Sequence, residues 1–338
     1  MTKAVLATLG LLLLPTPQRR EPASLQVRID APKLEFKVGE PIAISFSQSA
    51  RTASQVSFVR SRDGTRIAVE CAGAGPSLLI VHGGAGDRTR WTPLLPLFAS
   101  HFTVCAMDRR GHGQSEPGPD YRLTKEFEDV AAVANSRPGS VCVLGHSFGG
   151  LCALEAAFLT DKISKLVLYE PPLQDLDHTA VADRMEESIH RGDREQALVT
   201  FLREIVMLSP PEVDTMKRQA SWRDRVSGID VQIREIRATN EYRFDPTRMR
   251  TLRLPTLLLT GANTASPQLK QAINSLVDTL PRRTLVVFEG QEHDAMDQIP
   301  QQFAETVTKF LLEPSPSWPW AQSSARSHLR SKGRDRPR

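Results

Sequence analysis

The stretch from Ser140 to Gly150, SVCVLGHSFGG, limits what this 338-residue chain can fold into more than any other. The apolar run Val141 to Leu144 predicts a buried strand, and the Ala/Leu-rich residues after it predict a helix from Phe148 to Leu159. Between them, Gly145-His146-Ser147-Phe148-Gly149 fits G-x-S-x-G, a turn too sharp for bulky flanking residues. Such a turn lifts the Ser147 hydroxyl clear of a sheet. It also leaves the Phe148 N–H at a helix start, where free amides and the helix dipole favour a developing negative charge. The pentapeptide alone also occurs in ordinary glycine-rich turns; strand, elbow and helix in succession set this one apart.

The rest of the chain supplies the sheet around that elbow. From Val56, two alternating runs, QVSFVRS and TRIAVECAG, flank Asp63-Gly64, a hairpin dipeptide. Ser77 to Val81 is wholly apolar after its serine, as expected of a strand covered on both faces, and His82-Gly83-Gly84-Ala85-Gly86 follows it. Glycines at that point let backbone approach a ligand closely, which makes the Gly84 N–H a second candidate oxyanion donor. Phe102 to Met107 is a further strand, ending in the charged loop Asp108 to Gly113, read as structural. Leu123 to Val133 predicts a helix, Ile163 to Tyr169 a buried strand ending in Glu170-Pro171-Pro172.

Residues 173–250 are charged and helix-permissive, with amphipathic spacing at Leu198, Phe201, Leu202 and Ile205. Strand signals resume at Pro255 to Thr260 and Thr284 to Phe288, and a last helix is expected over Gln302 to Leu312. Strands alternating with helices predict an α/β fold with a mostly parallel doubly wound sheet, and the helical block between two late strands predicts a lid. The expected organisation is a core of 56–172 and 251–312, a lid of 173–250 and a disordered basic tail of 313–338. Residues 25–55 form a possible short β extension.

The ends dominate the charge. The formal net charge is +4, yet residues 321–338 hold six basic residues against Asp335, so the body is near neutral and nucleic acid is not an expected partner. Met1 to Leu14 carries one lysine and then an apolar run too short to span a bilayer, and 1–24 is read as a signal-like or unstructured start. Cys71, Cys105, Cys142 and Cys152 all lie in apolar strand or helix patterns and are expected as buried free thiols, which favours the cytoplasm over export. No pair of them has metal-ligand spacing.

Together HGG at 82–84, DRRGHGQS at 108–115, GHSFGG at 145–150, YEPP at 169–172 and GQEHDAM at 290–296 resemble the α/β-hydrolase fold family over roughly Val56 to Leu312. The order, serine before histidine, is also that family's. The resemblance implies Ser147 as nucleophile, His293 as base, and the Gly84 and Phe148 amides as the oxyanion site, with no metal or organic cofactor. The chemistry of the residues agrees, since a serine hydroxyl needs an imidazole to take its proton and, of the eight histidines, only His293 sits just beyond the last strand. His82, His146 and His112 are read as structural, and Asp278 as a surface charge.

The third member departs from the family pattern, because the loop after Thr260, Gly261 to Pro267, holds no carboxylate. Glu170, at the end of the preceding strand, is the expected substitute; Asn263 and Asp294 are the alternatives. With serine rather than aspartate at 147, the dehalogenase and epoxide-hydrolase chemistries of this fold are excluded. The expected function is a serine hydrolase acting on an ester-like bond of a small-molecule acyl substrate. The alternative is a small-ligand-binding protein whose triad has lost its acid.

Overall fold

The computed structural model describes residues 55–173, 177–219 and 221–314. The signal-like start, the possible β extension before residue 55 and the basic tail beyond 314 lie outside the described residues. Eight strands form one sheet: β1 (Ser57–Arg60), β2 (Arg66–Ala72), β3 (Ser77–Val81), β4 (Thr103–Met107), β5 (Val141–His146), β6 (Ile163–Tyr169), β7 (Thr256–Gly261) and β8 (Arg283–Phe288). Their order is β1-β2-β4-β3-β5-β6-β7-β8. The first two pairings, β1 with β2 and β2 with β4, are antiparallel and the others parallel.

The β1–β2 hairpin turns where Asp63-Gly64 predicts it. Gly64 takes φ 87° there, a left-handed value that a side chain resists. β3 and β5 are buried along their whole length, the reason both read as apolar runs rather than alternating ones. Strand order reverses around β3, and their paired C-terminal ends, Val81 beside Gly145, deliver the HGG turn and the serine elbow to one spot. Ligands of open α/β sheets bind at such a crevice.

Each face of the sheet has its own apolar layer. One is packed by Phe127 and Val130 of helix Leu123–Asn135, Leu151 and Leu154 of helix Phe148–Ala156, and Ile273 and Leu276 of helix Pro267–Thr279. The other is packed by Trp91, Phe98 and, from helix Pro300–Leu312, Phe303 and Val307. Truncating any of these to alanine would cost about 2–5 kcal/mol. Lys165, on β6, donates to the carbonyls of Phe310, Leu311 and Glu313 at 3.0, 3.0 and 2.5 Å, capping the C-terminal end of the last helix from the sheet.

Between β6 and β7 the chain forms six helices and no strand among its described residues. Asp193 caps helix Arg194–Glu204 by accepting from the Gln196 N–H at 2.9 Å, and Ser209 with Glu212 forms a capping box ahead of Pro210–Lys217. The expected stripe is buried at Leu198, Phe201 and Leu202, and joins Met185, Ile229 and Ile236 in a third apolar cluster that also takes in Ala85 of the HGGAG turn. Ile205 is only partly buried.

The cysteine expectation needs correction for one pair. Cys142 and Cys152 are buried and free, but Cys71 and Cys105 form a disulfide with their Cα atoms 4.1 Å apart. Antiparallel pairing of β2 with β4 puts these two directly opposite each other. Apolar patterning announces burial, but not which neighbour a strand acquires. The argument from free thiols for a cytoplasmic compartment therefore loses two of its four members. No helix among the described residues is long and apolar enough to cross a membrane.

Candidate active site

Ser147 sits at φ 53°, ψ −125°, a strained setting for a residue with a side chain. Its neighbours show why the motif demands glycine. A Cβ on Gly145 would lie 2.5 Å from the Gly149 carbonyl oxygen, and one on Gly149 would lie 2.4 Å from that of His82. The Ser147 N–H donates to the Tyr169 carbonyl at 2.8 Å, fastening the elbow to the end of β6.

Glu170 follows Tyr169 immediately, with φ 45°, and is fully buried. Its Oε2 accepts from His293 Nδ1 at 2.5 Å. Its Oε1 accepts from the Thr260 hydroxyl at 2.6 Å, the Gly261 N–H at 2.9 Å and the Thr264 hydroxyl at 2.5 Å. Burial pushes the carboxyl pKa up, but the hydrogen bond and charge of His293 and the two hydroxyls outweigh it and hold Glu170 below the ordinary glutamate range. A proton fixed on Nδ1 by a carboxylate leaves Nε2 of the imidazole as the basic nitrogen.

The other two candidate acids are engaged elsewhere. The Asn263 N–H donates to the Gln291 carbonyl at 2.8 Å, which pins the histidine loop, while its side chain is exposed. Asp294 accepts from Arg90 at 2.6 Å. Burial raises the Asp294 pKa, but Arg90, His293 and His146 more than reverse this and hold it at about 2.

His293 is clasped through its backbone as well. His146 Nε2 donates to the His293 carbonyl at 3.1 Å, with the two rings 4.6 Å apart. Tyr169 accepts from the Ala295 N–H at 3.0 Å and donates to the Glu292 carbonyl. Gly261 permits the loop's approach, since a Cβ there would lie 2.4 Å from the Gln291 carbonyl oxygen. His82 donates through Nδ1 to the Gly83 carbonyl at 2.8 Å and accepts the Arg109 N–H on Nε2 at 3.0 Å. His82 and His146 thus hold the turns, as the sequence suggests, and burial keeps both pKa values well below the ordinary histidine value.

Ser147, His293, Gly84 and Phe148 all border one cavity of about 100 Å³, whose remaining wall is mainly apolar, with Leu173, Phe201, Ile236 and Leu269. Among the described residues no group of three or more His, Cys, Asp or Glu side chains is arranged to hold a metal ion.

Sequence reasoning treated Asp108 to Gly113 as structural and missed how much Arg109 does there. The fully buried guanidinium donates to the His82 carbonyl at 3.1 Å and the Gly83 carbonyl at 3.2 Å, and lies over the Phe148 ring at 4.4 Å. It therefore seats both turns that carry the expected oxyanion amides. Its charge is met by Glu235, bound at 2.8 and 3.0 Å, and Glu126 Oε1 accepts a further hydrogen bond from it at 3.1 Å. His112 donates to Glu235 at 2.6 Å. Glu235 belongs to helix Ile229–Asn240 of the insertion, 126 residues from Arg109 in the chain, so no local spacing announces the pair.

A sequence model of the alpha/beta hydrolase family matches residues 78–306, and the chain belongs to that family. An alpha/beta hydrolase from Sphaerobacter thermophilus is similar in structure at 30% identity and TM-score 0.66, covering 75% of this chain and all of that one. An esterase from a Rhodococcus species has 25% identity and TM-score 0.62, covering 76% of this chain and 98% of the esterase. An uncharacterized protein of Mycobacterium tuberculosis is 34% identical over 114 residues, which is 32% of this chain and 33% of that protein.

Proposed function

We propose that the protein is a serine hydrolase that cleaves an ester-like acyl bond of a small molecule through an acyl-enzyme on Ser147. The observation that carries this reading is the 2.5 Å bond from His293 to Glu170 at the edge of the cavity that Ser147 lines. His293 takes the serine proton as Oγ attacks the acyl carbon, and the Gly84 and Phe148 amides receive the negative charge that develops on the carbonyl oxygen. The protonated imidazole then gives its proton to the leaving oxygen. Water repeats the sequence on the acyl-enzyme, releasing the acid and restoring Ser147. Glu170 stays ionised and holds the imidazole in its working tautomer. The helices between β6 and β7 act as a lid that shapes the acyl pocket.

The binding-protein reading drew on the missing carboxylate after Thr260. Glu170 stands in for that acid, and the hydrolase reading is favoured. The structural relative from Rhodococcus is an esterase, which supports the proposed bond type. A fluorophosphonate probe tests the proposal. The wild type should be labelled on Ser147 and Ser147→Ala should not; equal labelling of the two, or none of the wild type, would sink it.

A further inference from the structure

The insertion places a second side chain against the expected oxyanion turn. Gln232 lies on helix Ile229–Asn240, one turn before Glu235, and is 3% exposed. Its Oε1 accepts from the Ala85 N–H at 2.7 Å. Only an oxygen can accept that proton, so the amide orientation is fixed and Nε2 is turned away from Ala85. Among the described residues no acceptor receives the two Nε2 protons. The side chain sits close to the donor expected to bind substrate: a Cβ built on Gly84 would lie 2.7 Å from Oε1 and 3.1 Å from Nε2. Gln232 and Gly84 line the same cavity as Ser147 and His293.

Nε2 is open to the cavity that Gln232 lines, where water can meet it; an occupant that expels that water must accept from Nε2 itself or leave the donor unmatched at a cost of about 1–3 kcal/mol. The wall around it is apolar at Leu173, Phe201, Ile236 and Leu269 and polar at Glu204, Thr239, Ser266 and Gln268, none of which accepts from Nε2. We infer that Gln232 reads the substrate: its Nε2 donates to an oxygen carried by a short acyl chain close to the scissile carbonyl, as in an alkoxy, hydroxy or keto acid ester. Apolar atoms of the same chain face the aliphatic wall. The cavity of about 100 Å³ suits a small acyl group. This assignment rests on the reading of Ser147 as the nucleophile.

The test uses two p-nitrophenyl esters of nearly equal shape, methoxyacetate and butyrate, which differ by an oxygen in place of a methylene. The quantity read is the ratio of their kcat/KM values in the wild type and in Gln232→Met. The ratio should fall about three- to tenfold on substitution, the worth of one neutral hydrogen bond. Gln232→Glu keeps the acceptor for the Ala85 N–H while removing the donor, and should show the same fall. A ratio that moves less than about twofold in both variants overturns the inference. So does a parallel loss on both esters, which would make Gln232 a support for the turn alone. Fluorophosphonate labelling of the same samples separates the two levels. An unlabelled wild type condemns the serine-hydrolase reading, whereas normal labelling with an unchanged ratio condemns only the role of Gln232.

Discussion

Glu170 and His293 are 123 residues apart in the chain and 2.5 Å apart at Oε2 and Nδ1. The other carboxylate oxygen, Oε1, accepts from three donors at the end of β7 and in the loop after it, Thr260, Gly261 and Thr264. The loop that lacks a carboxylate of its own thus holds the carboxylate that follows β6.

Glu170→Gln should lower kcat on a p-nitrophenyl ester by about 10² or more with the fold intact, by analogy with the loss when a triad aspartate is neutralised. Thr264→Val removes one of three donors to Oε1 and should cost about tenfold or less. Steady-state kinetics on the two variants decide the matter. A loss at Glu170 below about threefold would move the role of acid to another group.

Arg109→Met should destabilise the protein by about 3–5 kcal/mol, because Glu235 would be left buried without its counter-charge. Glu235→Leu in the same chain should recover part of that loss, a coupling that a double-mutant cycle by thermal unfolding would read. Turnover should fall in Arg109→Met beyond what stability accounts for, since the carbonyls of His82 and Gly83 lose their donor.

Glu126 makes stability depend on pH. Burial pushes its pKa up, and with Glu235 and Asp129 repelling its charge it reaches about 8 despite Arg109, against an ordinary 4.5. Its folded-state pKa is raised, so the folded chain holds a proton that the unfolded chain has lost. The contribution is fully present below about pH 4.5 and is lost as the pH climbs through about 8. Within that window the slope is on the order of 1 kcal/mol per pH unit. Urea unfolding at pH 5 and pH 8 should show a larger drop for the wild type than for Glu126→Gln; equal drops would refute the assignment.

Reduction of the Cys71–Cys105 bond should lower stability by roughly 3–4 kcal/mol, the loop-closure value for the 34-residue separation. Cys71→Ser with Cys105→Ser should reproduce the loss and abolish sensitivity to dithiothreitol. Thermal unfolding with and without reductant measures both.

Much of this architecture was readable in advance, and the parts that were not share a cause. Strands β3, β5, β6 and β7 announce themselves as apolar runs because both faces are covered, and the elbow because only glycine fits at positions 145 and 149. Glu170 came from the family resemblance once the usual loop proved to hold no carboxylate, with Asn263 and Asp294 left as alternatives. Three features stayed hidden: the Cys71–Cys105 bond, the Arg109–Glu235 pair and the Gln232 contact with Ala85. Each joins segments whose proximity depends on strand order or on how the insertion folds back. Local spacing carries none of that information.

The position of Glu170 just past the end of β6 has one more consequence, for how the proposed site is divided along the chain. Gly84, Ser147, Phe148 and Glu170 all precede the helical insertion; His293 alone follows it. A single backbone cut inside 177–249 would part four of these groups from the fifth while leaving every one of them on its own strand end. Two such fragments, mixed, would have to find each other through β6 and β7 and through the His293–Glu170 contact. The imidazole is in that sense a clasp between two pieces of one sheet, and recovery of the proposed hydrolase activity from separate fragments would report on the clasp closing.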